Sequence, residues 1–424
     1  MVWPRMVRVV QRFEQPSVAD PSAAAVEAFA EATRGGGELR GTRVAVTVGS
    51  RGIADLVAVV RGLVGELHRR GAEPFIVPAM GSHGGGTAEG QRAVLATLGV
   101  TEESVDAPIR SSMETVQVGT TEDGFPVLLD RLASAADHVL VVNRVKPHTE
   151  FAGPYQSGLL KMLLIGLGKH AGAIQYHAAA TRIPFERLIR TAGRLVLDRV
   201  PILAGIAIIE NAYDGTAEVV GVPPAEFFAA EERLLARAAA YMATVPFDGI
   251  DLLIIDEMGK NISGAGIDTN VIRRKHWADA AIGERLDPGA PKRIFVRDLT
   301  SETQGNAAGI GIADFTLRRL ADKIDRHKTY TNTITATRPR GAVLPLVYDT
   351  DEEAILAAIA SAGVVDPAQA CIARIRNTLR LTRIEASENL LAGAHPGARI
   401  EVTGAGTGIR FDDEGMLTPD RLPV

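Results

Sequence analysis

The chain has 424 residues, more than a single hydrophobic core usually serves, so we expect two domains. Its net charge of −5 argues against nucleic acid as the main partner, because phosphate binding requires a basic surface. The single cysteine, Cys371, excludes an internal disulfide and any multi-cysteine metal site, which fits a reducing compartment.

The N-terminal residues, MVWPRMVRVVQRFEQ, interrupt every short apolar run with charged side chains. This pattern lacks the apolar region of a signal peptide. No stretch of the chain reaches the ~18–20 unbroken apolar residues of a membrane span. We therefore expect a cytoplasmic protein that contacts no membrane.

The next residues predict a βαβ unit, in which parallel strands alternate with amphipathic helices. The predicted elements are the strand Val44–Val48, the helix Ala54–Arg70, the strand Phe75–Val77 and the helix Thr87–Leu98. In such units, ligands bind at the carboxyl ends of the strands. The loops at those ends, Gly49–Gly52 and Gly81–Gly86, are rich in glycine, so both are predicted to face a ligand at one edge of the sheet.

The remaining pattern predicts more α/β structure and a boundary between two domains. The expected elements are the strands His138–Val142, Leu203–Ile209, Asp251–Asp256, Arg293–Asp298 and Ala342–Val347, and the helices Ala225–Met242, Ala313–Ile324 and Glu352–Ala362. The sequence VPFDG, just before residue 250, is typical of a linker. We predict α/β domains over residues 1–247 and 248–424, both with mainly parallel sheets, and an active site in the cleft between them.

His83 lies in GSHGGGTAEG, after a predicted strand and before a predicted helix. The glycines allow the backbone to approach a ligand, and the start of the helix presents free N–H groups to an anion. The loop has neither the pattern of a phosphate-binding P-loop nor that of a dinucleotide-binding turn. A turn histidine bonded to nearby backbone is the alternative, and the loop alone leaves both interpretations open.

The segment from Val141 to Ala178 carries two further histidines and an embedded lysine with candidate roles. His148 follows Pro147, which fixes the local backbone at the end of a strand. Lys161 lies between leucines in SGLLKMLLIGLG, where it either reaches out to water or becomes nucleophilic in a desolvated pocket. His177 follows sixteen residues later, and no pair of histidines has a standard zinc spacing.

Basic residues near these loops are candidate anion partners. Arg51, in VGSRG, is expected near His83 and is suited to holding a carboxylate or a phosphate. Arg273 and His276 belong to a basic cluster that either faces the cleft or forms a solvated charge run. Taken together, two imidazoles suit removal and return of a proton on opposite faces of one carbon. A third histidine beside an embedded lysine suits a metal or a covalent cofactor.

In this order, the motifs resemble those of the nickel-dependent lactate racemase superfamily of 2-hydroxyacid racemases and epimerases. The matching motifs are Ser50-Arg51, Gly81-Ser82-His83, Pro147-His148 with Phe151-Ala152-Gly153, Ser157-Gly158 before Lys161, and His177. The resemblance extends along the whole chain and is strongest from Val44 to His177.

The resemblance implies a nickel pincer nucleotide, a pyridinium mononucleotide with two thio-acid arms that separate enzymes build. Lys161 would hold this cofactor covalently, and Ser50 and Arg51 would help to bind it. His177 would be the protein ligand to nickel, and nickel held by sulfur donors and one imidazole fits the usual ligand preferences of this metal. His83 and His148 would be the acid/base pair. They would take and return the hydroxyl proton while the hydride of the substrate moves to the cofactor and back.

Several positions depart from the family pattern. Val48 stands three residues before Arg51, where the family usually has an acidic residue. In the second domain Asp268-Thr269-Asn270 match lactate racemase, but Ile272-Arg273 and His276 replace its Tyr-Gln pair and its lysine. These changes favour a larger or more anionic substrate than lactate, such as a sugar acid or a hydroxy-dicarboxylate, held by Arg51, Arg273 and His276.

The resemblance therefore implies an isomerase that racemises or epimerises a 2-hydroxy acid by hydride transfer to and from a covalently bound nickel pincer nucleotide. Its partners would be the small acid and the enzymes that build the cofactor, and a homo-oligomer is left open. One alternative is a nickel-free hydroxyacid isomerase or redox enzyme on the same scaffold. The other is a non-catalytic binder of a small acid. Cofactor content separates these hypotheses.

Overall fold

The computed structural model describes residues 2–34, 38–149, 153–274, 287 and 289–423. They divide into two compact units: Glu14–Met242, here called the N-terminal unit, and Met1–Phe13 with Ala243–Val424, here called the C-terminal unit. The predicted boundary between residues 247 and 248 lies close to this division. No sequence pattern predicted that the first residues of the chain belong to the C-terminal unit.

The chain alternates strands and helices along most of its length. The strands are β1 (Arg5–Arg12), β2 (Arg43–Val48), β3 (Glu73–Pro78), β4 (Thr115–Thr120), β5 (Pro126–Asp130), β6 (His138–Arg144), β7 (Ile202–Glu210), β8 (Thr216–Val222), β9 (Leu252–Ile255), β10 (Arg293–Val296), β11 (Phe315–Leu317), β12 (Leu346–Tyr348), β13 (Ile372–Asn377), β14 (Arg380–Ser387) and β15 (Arg399–Gly408). The helices are α1 (Pro21–Ala32), α2 (Leu56–Arg69), α3 (Ala88–Thr97), α4 (Glu102–Val105), α5 (Arg131–Ser134), α6 (Leu159–Lys161), α7 (Lys169–Ala179), α8 (Phe185–Arg199), α9 (Phe227–Tyr241), α10 (Arg318–Ala321), α11 (Arg326–Thr335) and α12 (Asp351–Ser361).

The N-terminal unit is built on a sheet of order β3-β2-β6-β7-β8, as far as the structure describes it. The first four strands are parallel, and β8 is antiparallel to β7. Val139 and Val141 of β6 pack into one hydrophobic cluster, whereas Leu140 and Val142 pack into another. Both faces of the strand are therefore buried, which explains its unbroken apolar sequence.

The C-terminal unit contains a second sheet, which within the described ranges has the order β12-β11-β10-β9-β13-β14-β1-β15. The strands from β12 to β13 are parallel, and those from β14 to β15 pair antiparallel. Leu252 and Ile254 of β9 pack with Ile355 and Ile359 of α12. The predicted class, α/β with mainly parallel sheets, is confirmed.

Most of the predicted elements lie within about two residues of the observed ones, and two do not. The expected helix Ala313–Ile324 is a strand, β11, followed by the short helix α10. The expected strand Ala342–Val347 begins only at Leu346, as β12. β11 is held between β10 and β12, so pairing with distant strands overrides the local helical pattern. Among the described residues, no helix is both long and apolar enough to cross a bilayer.

Candidate active site

Three loops of the N-terminal unit leave neighbouring parallel strands at one edge of the sheet. β2 leads to Ser50 and Arg51, β3 leads to His83, and β6 leads to His148. β2 pairs with β3 on one side and with β6 on the other. Because parallel strands end at a common edge, the strand order brings these loops together at the place where open α/β sheets bind ligands.

A hydrogen bond joins the first two loops directly. The Oγ atom of Ser50 lies 2.5 Å from Nδ1 of His83. The His83 side chain belongs to the exposed residues of this edge. The bond orients the imidazole ring of His83 at the edge of the sheet. The family resemblance implies that Ser50 binds the cofactor, whereas the structure brings it to an acid/base candidate.

The residues after His83 form a left-handed glycine turn. Gly84, Gly85 and Gly86 have φ values of +65°, +65° and +66°, a region that favours glycine strongly. The turn packs against the first turn of α3, since a Cβ atom on Gly90 would lie 1.9 Å from the carbonyl oxygen of Gly84. The GGG sequence is thus required by backbone geometry and close packing, and it aims the histidine that precedes it.

A buried polar network that no sequence pattern predicted adjoins this turn. Nζ of Lys169 lies 2.5 Å from the carbonyl oxygen of Pro78 and 3.1 Å from Oδ2 of Asp130. It also donates to Oε1 of Gln91 at 3.2 Å, and Gln91 donates to the carbonyl oxygen of Gly81 at 2.8 Å. Burial lowers the pKa of Lys169, and the Asp130 carboxylate opposes this only in part. The network ties the end of β3, helix α3 and the start of α7 together.

The loop after β2 is held by an ion pair between Arg144 and Glu210, at the ends of β6 and β7. Arg144 also donates to the carbonyl oxygen of Gly52 at 3.2 Å, and Glu210 accepts from the backbone of Ala54 at 2.8 Å. The neighbouring Arg51 is exposed. Partial desolvation and the like charge of Arg144 lower the pKa of Arg51, although its guanidinium remains a cation suited to a carboxylate.

His148 is half-buried and has its backbone fixed by the loop that follows it. Its N–H group donates to Oε1 of Gln156 at 2.7 Å, and Gln156 donates back to the carbonyl oxygen of Gly153 at 3.0 Å. The backbone of Lys146 donates to that of Ser157 at 2.9 Å. Phe151 and Ala152 of the family motif lie outside the described residues.

Lys161 is half-buried at the end of α6, where the chain continues as a π-helix over Met162–Gly166. π-helical turns are frequent at functional sites. The carboxylate of Glu231, on α9, accepts the N–H of Leu160 at 2.9 Å. Burial raises the pKa of Glu231 to about 7, and the nearby charge of Lys161 lowers it in part. Glu231 stands in an alanine-rich helix beside a second glutamate, so no sequence signal distinguished it.

His177 lies on α7, half-buried, in the helix that begins with Lys169. Lys161 and His177 thus belong to consecutive helical segments of the same chain stretch. Across the described ranges, no group of three or more His, Cys, Asp or Glu side chains is placed to hold a metal ion. A metal at His177 would therefore need donors from a bound cofactor, and sulfur donors fit that requirement.

Arg273 and His276 are the two residues of the C-terminal unit that were predicted to bind the substrate. Arg273 is ion-paired with Asp248 at 2.7 Å and with Asp287, and its Nη1 also lies 3.2 Å from Nε2 of His395. Its guanidinium is thus already engaged by carboxylates of its own unit, which leaves fewer donors for a substrate. His276 lies outside the described residues.

Comparisons with known proteins find a matching family model and a solved structure of similar fold. Residues 47–187 match the family model for the lactate racemase N-terminal domain. The solved structure of the lactate racemase apoprotein from Thermoanaerobacterium thermosaccharolyticum matches with a TM-score of 0.54 and 12% identity, over 88% of this chain and 94% of that chain. No curated protein sequence matches this chain. The structural match extends the shared fold well beyond the region that the family model covers.

Proposed function

We propose, on the premise that this chain belongs to the lactate racemase superfamily, that it racemises or epimerises a 2-hydroxy acid other than lactate. One observation carries the proposal: the residues matched by the family model include every candidate catalytic and cofactor-binding side chain. Those side chains are Ser50, Arg51, His83, His148, Lys161 and His177.

The acid/base step is assigned to the two histidines. Ser50 contacts Nδ1 of His83, and the backbone N–H of His148 donates to Gln156, which supports this assignment. A neutral imidazole is an effective base near pH 7. One ring would take the proton of the substrate hydroxyl, and the other would supply a proton when the opposite enantiomer forms. Arg51 would bind the carboxylate.

The cofactor site is assigned to Lys161 and His177. The half-buried lysine, the single imidazole and the π-helical turn between them fit a group that attaches covalently and brings most of its own metal donors. The adjacent Glu231 is buried, and its Oε1 atom has no hydrogen-bond partner among the described residues. When bound, a nickel pincer nucleotide would accept and return the hydride of the substrate.

The substrate is proposed to be larger or more anionic than lactate. Ile272 and Arg273 stand where lactate racemase has a Tyr-Gln pair, so the residues expected around the substrate differ at these positions. The ion pairs of Arg273 argue for a structural contribution by this residue, so Arg51 is the stronger candidate for the carboxylate.

The test is intact mass and nickel analysis of protein produced with and without the cofactor-building enzymes. We expect a cofactor-sized mass increase and bound nickel only when those enzymes are present. Lys161→Ala should abolish the adduct. Lys292→Ala, which removes a lysine of the C-terminal unit, should load as the wild type does.

A host in which a lactate racemase control acquires the cofactor while this chain acquires neither adduct nor nickel would overturn the proposal. A loaded chain would next be incubated with single enantiomers of sugar acids and hydroxy-dicarboxylates. Formation of the second stereoisomer, followed by chiral chromatography, identifies the substrate.

A further inference from the structure

The C-terminal unit contains a pocket of about 490 Å³ at the carboxyl ends of its central strands. Glu257 and Asn261 follow β9, Thr300 and Ser301 follow β10, and Arg376 lies on β13. The chain runs from β9 to β10 on one side and later returns to β13 on the other, which makes this a topological switch point. Open α/β sheets bind ligands at such points, and the volume suits a small molecule.

Two nearly buried carboxylates orient the basic side chains of this pocket. Glu257 and Asp298 have side-chain exposures of only 8% and 4%. Glu257 accepts from Arg376 at 3.0 Å and from Arg421 at 2.9 Å. Asp298 accepts from Arg421 at 2.7 Å and from Lys323 at 2.6 Å. The carboxylates thus lie beneath the cations and fix their directions.

The cations keep donors for a further anion. Lys323 and Arg421 have side-chain exposures of 48% and 36%, far more than the carboxylates that hold them. A lysine has three N–H donors and an arginine has five. Among the described residues, Lys323 uses one of its donors in hydrogen bonds and Arg421 uses two. The remaining donors suit a carboxylate that enters the pocket.

Uncharged polar groups line the same pocket. The hydroxyl of Thr300 donates to Oδ1 of Asn261 at 2.7 Å, which orients the amide. A Cβ atom on residue 259 would lie 2.0 Å from that hydroxyl oxygen and 2.4 Å from that amide oxygen, so Gly259 is needed for the pair to form. Ser301 and Glu302 add a hydroxyl and a carboxylate, which suit the hydroxyl groups of a ligand.

We propose that this pocket binds a small hydroxy acid, with its carboxylate at Lys323 and Arg421 and its hydroxyl groups at Asn261 and Ser301. The choice of ligand class rests on the proposed function. Inorganic phosphate shares the anionic chemistry but lacks carbon-bound hydroxyl groups, so it separates a selective site from a general anion site.

The experiment is calorimetric titration of the full-length, cofactor-free chain with D-gluconate, L-malate and inorganic phosphate. We expect a hydroxy acid to bind, and Lys323→Met to weaken its binding by about tenfold or more, since a charge-assisted hydrogen bond is lost. Lys292→Met is the matched control, because Lys292 is 55% exposed and pairs with Asp251 at 2.7 Å. It should bind as the wild type does.

Equal weakening in both variants, no binding of either acid at millimolar concentrations, or equally tight binding of phosphate would overturn this assignment. The titration requires no cofactor, so its result is independent of the mass and nickel measurement. If the acid binds through Lys323 but the chain never acquires the cofactor at Lys161, the pocket assignment would stand and the racemase proposal would be wrong. If the chain acquires the cofactor but binds neither acid in this pocket, the racemase proposal would stand and the pocket assignment would be wrong.

Discussion

The candidate site of the N-terminal unit combines exposed and buried ionisable side chains. His83 and Arg51 are open to solvent, whereas Lys169 and Glu231 have at most 1% exposure. A buried ionisable group costs free energy unless a partner compensates it. The two buried groups therefore differ in a measurable way: Lys169 has a carboxylate partner, and Glu231 is held in part by backbone N–H of α6.

Glu231→Gln is predicted to remove a pH dependence of stability. Burial raises the pKa of Glu231 from 4.5 to about 7, so protonation favours the folded state, and this stabilisation is lost as pH rises from about 4.5 through 7. Glutamine keeps an oxygen for the N–H of Leu160 and cannot ionise. From about pH 4 to about pH 8, the unfolding free energy of the variant should rise relative to the wild type by about 3 kcal/mol.

Urea denaturation at several pH values measures this difference. Glu232→Gln is the matched control, since Glu232 is the exposed neighbour on the same helix, and its difference from the wild type should stay constant with pH. A constant difference for Glu231→Gln as well would show that Glu231 ionises in the folded state as it does in the unfolded chain.

Lys169→Met is predicted to destabilise the chain by about 3–5 kcal/mol, because it leaves the Asp130 carboxylate buried without its partner. The double variant Lys169→Met/Asp130→Asn should recover part of that loss. Lys292→Met breaks an ion pair whose lysine is largely exposed and should cost less than about 1 kcal/mol. Chemical denaturation of the three variants measures the costs, and equal costs for the two single variants would contradict a buried, coupled pair.

At the scale of elements, the glycine turn and helix α3 form one packed piece that carries His83. The side chain of Thr87 accepts the N–H of Gly90 and so caps the helix, and Gln91 from the next position holds the carbonyl of Gly81. The position of His83 thus depends on close contact between the turn and the first turn of α3. Even a methyl side chain at position 90 should disturb that contact.

Gly90→Ala is predicted to destabilise the chain by about 1–3 kcal/mol, because the added methyl group overlaps the backbone of Gly84. It should also speed hydrogen exchange of the amides in residues 81–86. Gly65→Ala is the control: Gly65 lies within α2, and an added Cβ atom meets nothing within 4 Å. That change should stabilise by about 0.5–1 kcal/mol through helix propensity. Unfolding and exchange experiments on both variants check the contrast, and destabilisation by Gly65→Ala alone would contradict it.

At the scale of the whole molecule, the two ends of the chain belong to one unit. β1 lies between β14 and β15 in the sheet of the C-terminal unit and pairs antiparallel with both. Val7 and Val9 of β1 are buried. A strand inside a sheet satisfies hydrogen bonds on both of its edges, so its removal exposes two rows of backbone groups and part of the core.

The fragment 243–424 is therefore predicted to fold poorly alone and to recover a cooperative transition when residues 1–13 are fused to it through a flexible linker. The fragment 14–242 should fold without residues 1–13 and without residues 243–424, since it contains its own sheet and core. Circular dichroism and thermal denaturation of the three proteins test this. A transition of the same cooperativity and midpoint for 243–424 with and without the strand would contradict it.

Sequence reasoning recovered the elements whose signal is local. β2, β3 and β6 are apolar runs followed by glycine or proline, and α2 has a clear apolar stripe, so each could be assigned from neighbours in the chain. β11 could not, because three residues that pair with distant strands carry too little local signal. Glu231 and Lys169 were missed for the same reason, since their environment comes from segments 70 to 90 residues away.

Contiguous residues carried enough signal to predict the α/β class, because hydrophobic periodicity and glycine turns are local properties of the chain. Which side chains meet depends on the tertiary fold. It brought Ser50 to His83, engaged Arg273 with Asp248 and Asp287, and placed β1 in the sheet of the C-terminal unit. These outcomes depend on strand order and burial, which arise from contacts between residues that are distant in sequence.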